Sequence, residues 1–159
     1  MKYLLLGGAP NTGKTGSLNR LAATLITTKG FRNVANWNYP PTVTNGDFRL
    51  ILEGLDNNKN LIRIYINSAS DTKKIIQDCK KFYDDNQPVD IIISSIRDIF
   101  SARTEFFNIM KVDNSIDYIM ELPLAKVRRG NHRGLCLKWY EEKIDKLAVH
   151  TLENDPYNL

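Results

Sequence analysis

Gly8-Ala9-Pro10-Asn11-Thr12-Gly13-Lys14-Thr15 is the stretch on which the reading of this chain turns. It follows G-x-x-x-x-G-K-T, a spacing in which glycines let the backbone curl closely round an anion, with a lysine and a hydroxyl beside it. Before it, Tyr3, Leu4, Leu5 and Leu6 form a short apolar run, the pattern of a strand buried on both faces. After it, Leu18, Leu21, Ala22, Leu25 and Ile26 fall at i, i+3, i+4, i+7 and i+8, one face of a helix. A strand feeds a glycine loop that feeds a helix. The open start of that helix adds unpaired N–H groups and a favourable dipole for negative charge.

In this arrangement the chain resembles the P-loop NTPase superfamily, in detail over Met1 to Gly30, with Gly8–Thr15 in the place of its Walker A loop. The resemblance implies binding of ATP, or another nucleoside triphosphate, with Mg²⁺. It places Gly8, Ala9, Pro10, Asn11, Thr12 and Gly13 round the phosphates. It has Lys14 reach the β- and γ-phosphates and the Thr15 hydroxyl ligate Mg²⁺. Asn11 suits a loop position where a positive φ is needed.

Composition sets the frame. At 159 residues, 42% hydrophobic and 25% charged, the sequence reads as a single domain over 1–159 with an ordinary core. A net charge of +4 suits a small polyanionic ligand and is too weak to point to a nucleic acid. Cys79 and Cys136 have no metal-ligand spacing and read as reduced thiols. No apolar run approaches the length of a membrane span, so no membrane partner is expected and the expected location is cytoplasmic.

Beyond the loop, the first helix should run from Thr15 to Lys29 and stop at Gly30. Residues 31–46, rich in Asn, Pro and Thr, read as a long loop. Its Trp37 and Tyr39 either stack on a ligand or plug the loop onto the core. Asp47–Glu53 and Leu61–Asn67 alternate as two strands of a β-hairpin. Ser70 or Asp71 then caps a helix carrying Ile75, Ile76, Cys79, Phe82 and Tyr83. Val89–Ser95, with three consecutive isoleucines, reads as a central parallel strand. A helix over Arg103–Met110, a strand over Ile116–Leu122 and a last helix over Leu135–Leu147 come after it, the last with Tyr140, Ile144 and Leu147 facing in. The tail over 151–159 reads as loosely held. The sum is an α/β three-layer sandwich, mostly parallel with one antiparallel hairpin and P-loop NTPase-like. Ligands bind such sheets outside the carboxyl ends of the strands.

The chain departs from the resembled pattern in one respect. Neither the strand ending at Asn67 nor the strand ending at Ser94 closes on the Asp or Glu that would support Mg²⁺. Asp71 is the nearest carboxylate, read either as a metal-supporting or water-orienting catalytic group or as a plain helix cap; Asp98 is a weaker choice. Asn67, Ser68, Ser94 and Ser95 offer neutral hydrogen bonds. The loop over 123–134 carries Lys126, Arg128, Arg129, His132 and Arg133. Arg128 and Arg129 are candidate catalytic arginines of a lid over the phosphates, while a polynucleotide or partner patch and a solvated loop stay open.

The chain has neither the N-K-x-D segment nor the D-x-x-G switch of regulatory GTPases, and it is too short for the helical lid domain of ring-forming ATPases. The resemblance leaves three functions. The first is an NTPase that cleaves the β–γ bond. The second is a kinase with a small phosphate acceptor, held by Trp37, Tyr39 and Arg97. The third is a nucleotide sensor that turns nothing over.

Overall fold

Leu4, Leu5 and Leu6 are fully buried at the middle of β1 (Lys2–Gly7) in the computed structural model, which describes residues 1–43, 46–124 and 133–159. The glycine loop comes next, then α1 (Lys14–Thr27), whose Leu18, Leu21, Ala22 and Leu25 are buried. The chain continues through β2 (Arg32–Trp37), β3 (Arg49–Leu55), β4 (Leu61–Asn67), α2 (Lys73–Asp85), β5 (Ile91–Ile96), α3 (Phe100–Met110) and β6 (Tyr118–Pro123). It closes with α4 (Arg133–Trp139), a π-helical stretch (Tyr140–Asp145) and α5 (Lys146–Glu153).

The strands make one six-stranded mixed sheet in the order β2-β3-β4-β5-β1-β6. β4, β5, β1 and β6 run parallel, while β3 is antiparallel to both β2 and β4. β1 lies between β5 and β6, in register with Ile93 opposite Leu4 and Ser95 opposite Leu6. Alternate side chains go to opposite faces. Leu4, Leu6, Leu50, Leu52, Ile64 and Ile66 join α1, Ala148 and Leu152 in one core. Tyr3, Leu5, Ile51, Tyr65 and Ile92 join Ile76 of α2 and Phe106 and Met110 of α3 in the other. Helices therefore cover both faces of the sheet, an α/β layering with a mixed, mainly parallel centre. Among the described residues no helix is long and apolar enough to cross a membrane.

Three expectations are corrected. The loop foreseen over 31–46 contains β2, paired antiparallel to β3 with an irregularity between Asn33 and Ala35. Its residues R-N-V-A-N-W are almost all exposed, so hydrophobic periodicity carries no trace of it. The tail, expected loose, is docked: Tyr157 and Leu159 are buried, and Tyr157 Oη donates to the Tyr3 carbonyl at 2.5 Å. In the last helix Tyr140 is buried and Ile144 packs against the core, but Leu147 is 45% exposed. The π-helical stretch accommodates an extra residue per turn and rotates the helix beyond it, so Ala148 and Leu152 face in instead.

Candidate functional site

The carboxyl ends of the parallel strands converge on the glycine loop, and the loop is shaped by its own backbone. Asn11 (φ 62) and Gly13 (φ 92) both adopt the left-handed region. Thr12 is buried, and its Oγ1 donates to the Ala9 carbonyl at 2.9 Å. Gly13 caps α1 with no side-chain bond, so the first-turn N–H groups, which have no acceptor within the helix, line the opening. Ser17 N returns to Gly13 O at 3.0 Å and fixes that first turn.

Lys14 is the central charge. It is 9% exposed, and its ammonium donates to Gly8 O at 2.7 Å and Ala9 O at 2.8 Å. Those bonds use two of its three donors. Burial pushes its pKa down; the Asp71 carboxylate beside it acts the other way. The positive charge is held at the loop with little water round it, where its field on a nearby anion is strong.

The loop borders a cavity of about 330 Å³ that also takes in Asp47, Ser68, Asp71 and Ser95. Thr15 Oγ1 lies 3.4 Å from Asp47 Oδ1 and 3.5 Å from the Ser68 carbonyl. Ser68 Oγ lies 3.4 Å from the same Asp47 oxygen and accepts from Phe48 N at 2.8 Å. Behind it, Ser95 Oγ donates to Ser68 O at 2.8 Å, and Asn67 Nδ2 donates to Ser94 Oγ at 2.9 Å. This buried hydroxyl and amide lattice fixes the strand ends. Burial pushes the Asp47 carboxyl above the ordinary aspartate range, and the negative charge of Asp71 adds to the shift. Two carboxylates facing one polar cavity, with a hydroxyl beside Asp47, are a donor set that suits a hard divalent cation. Among the described residues, no group of three or more His, Cys, Asp and Glu side chains is placed to hold a metal by itself.

Asp71 faces the cavity but does not cap α2; Thr72 does, its Oγ1 accepting from Ile75 N at 3.3 Å. Asp71 Oδ1 instead accepts from Arg97 Nε at 2.7 Å. That pairing engages the arginine set aside for an acceptor. Tyr39 packs on Phe48, with ring centroids 5.1 Å apart, and the Arg49 guanidinium lies 4.6 Å from the Trp37 ring. Arg128 and Arg129 lie outside the described residues.

Asp47 is the site residue that sequence reasoning missed. It precedes an antiparallel strand, and such a strand brings its amino end to the edge where its parallel neighbours bring their carboxyl ends. The sequence did carry that signal, since the hairpin itself was legible. No protein-family model, curated protein or solved structure matches this chain.

Proposed function

We propose that the chain binds a nucleoside triphosphate with Mg²⁺ at the Gly8–Thr15 loop and hydrolyses its β–γ bond, as a member of the P-loop NTPase superfamily. The observation that carries this reading is the Lys14 ammonium, held by the Gly8 and Ala9 carbonyls beside a polar cavity that the first turn of α1, Asp47 and Asp71 share.

The residues have complementary parts. The loop amides and Lys14 take the negative charge of the β- and γ-phosphates, which spreads further as the bond breaks. Thr15 Oγ1 and the carboxylates of Asp47 and Asp71 would hold the cation, with Asp47 in the place of the missing strand-end acid. Mg²⁺, when bound, neutralises phosphate charge. Ser68 and Ser95, which border the same cavity, would help to orient a water. That water adds to the γ-phosphorus as the bond to the bridging oxygen breaks, releasing a nucleoside diphosphate and inorganic phosphate.

Phosphate release from ATP and GTP, measured with Mg²⁺ and no added acceptor, tests the reading, with thermal stability followed in parallel. Wild type should be stabilised by nucleotide and release phosphate, and Lys14→Ala should do neither. Stabilisation without release would make the chain a sensor. Release only with an acceptor present would make it a kinase. Equal behaviour of wild type and Lys14→Ala would refute the site.

A further inference from the structure

The cavity at the loop is polar along its lining, suited to phosphate and cation, and offers no aromatic surface to a base. Resting on the phosphate-binding reading above, the geometry points to Trp139 as the side chain that stacks on the nucleotide base, so that the site distinguishes a nucleoside triphosphate from a bare phosphate chain.

The path from loop to tryptophan is short and continuous. The Tyr140 ring lies over Gly13: a Cβ built there would sit 3.5 Å from Tyr140 Cζ. Tyr140 is buried, and Trp139 meets it edge-on, with centroids 5.3 Å apart and planes at 88°. The Trp139 ring is thus one aromatic ring removed from the glycine that opens α1. An ion pair between Arg20 of α1 and Asp145 of the π-helical stretch ties the two elements together. Trp139 remains 38% exposed, and Leu135, one helical turn earlier on the same side, is 67% exposed. Both leave apolar surface exposed on the helix whose next residue, Tyr140, stands over Gly13, and this surface is the ledge proposed for the base.

The other exposed aromatics fit this role less well: Tyr118 opens β6 opposite Lys2, at the end of the sheet away from the loop. The Trp37 ring already carries the Arg49 guanidinium. Phe100, 84% exposed, opens α3, which packs on the face of the sheet opposite to α1. In the proposed pose the phosphates lie at the start of α1 and the base extends past Gly13, over which Tyr140 stands, toward Trp139. Stacking needs only the π-face that every base has, so the ledge recognises a base without fixing which one.

The test uses a Trp37→Phe chain, in which Trp139 is the one remaining tryptophan. Its emission is titrated with Mg²⁺ plus ATP, GTP or inorganic tripolyphosphate. Both nucleotides should change the emission, and tripolyphosphate should bind without changing it. In the otherwise native chain, Trp139→Ala should weaken nucleotide binding about tenfold and leave tripolyphosphate within about twofold, with Trp139→Phe recovering most of the loss. Equal weakening for nucleotide and tripolyphosphate, or unchanged emission at saturating nucleotide, overturns the stacking while leaving the phosphate site standing. If neither ligand binds and Lys14→Ala behaves as wild type, the phosphate site falls and the stacking with it. Should Trp139→Ala fail to fold, the emission titration decides alone.

Discussion

Thr15 Oγ1 and Asp47 Oδ1 meet at 3.4 Å across 32 positions of sequence, one from the first turn of α1 and the other from the residues leading into β3. The contact joins the glycine loop to the antiparallel part of the sheet. It also puts a second carboxylate opposite Asp71, which explains why Asp47 resists ionisation: burial first, then the neighbouring charge.

That resistance gives Asp47→Asn two opposite effects. The folded protein favours protonated Asp47, so its contribution to stability is fully present below the ordinary aspartate pKa. It is lost as pH rises through the raised value. At pH 7 without Mg²⁺ the variant should therefore melt higher than wild type, with the gain shrinking as pH falls toward the acid range. Nucleotide binding by the same variant should depend less steeply on Mg²⁺, since Thr15 and Asp71 remain. A variant that melts lower at pH 7 and keeps the wild-type dependence would remove Asp47 from the cation site.

Lys14→Arg should be nearly as damaging as Lys14→Ala. The ammonium fits between two carbonyls at 2.7 and 2.8 Å, a point-charge geometry that a planar guanidinium does not reproduce. Isothermal titration with Mg²⁺ and ATP should show at least about a tenfold loss, some 1.4 kcal/mol. Binding within twofold of wild type would mean that only the charge matters.

Gly13→Ala and Gly30→Ala separate backbone strain from site chemistry. Both glycines have positive φ, 92 and 74. A Cβ at Gly13 meets Tyr140 at an ordinary 3.5 Å, and one at Gly30 meets nothing within 4 Å. Each substitution should cost about 1–2 kcal/mol of stability from the left-handed backbone alone. In denaturant titrations the two should fall together, while nucleotide affinity should drop for Gly13→Ala alone.

Tyr157→Phe deletes one hydroxyl and keeps the ring against Tyr118, with centroids 6.0 Å apart. It leaves the Tyr3 carbonyl without this donor. A loss of about 1 kcal/mol is expected, seen as a fall in Tm of roughly 2–4 °C. No change in Tm would mean that the ring alone docks the tail.

The elements legible in the sequence are those that bury the most. β1 and β5 are wrapped in protein on both faces, so their leucine and isoleucine runs announce them. α1 and the β3–β4 hairpin show their periods for the same reason. β2 buries almost nothing and left no pattern. The π-helical stretch is invisible because the spacing of apolar residues assumes one period throughout, and that assumption misplaced Leu147. In the site, the loop residues are legible as a local motif, whereas Asp47 is reached only by carrying the direction of the legible hairpin through to the sheet edge it shares with the loop, a step beyond any local motif.

β2 has a consequence for the protein in solution. The strand it pairs with, β3, begins Arg49-Leu50-Ile51-Leu52, four residues buried in succession. Left at the margin of the sheet, such a strand would offer an apolar row of unpaired N–H and C=O groups to any other chain. β2 occupies that row; beside exposed Val34 and Trp37 it carries exposed Arg32, Asn33 and Asn36 and a break in register, of which the charge and the break discourage a further strand from adding. The least patterned segment of the chain therefore guards the molecule against self-association, and shortening it should produce aggregation before any loss at the glycine loop.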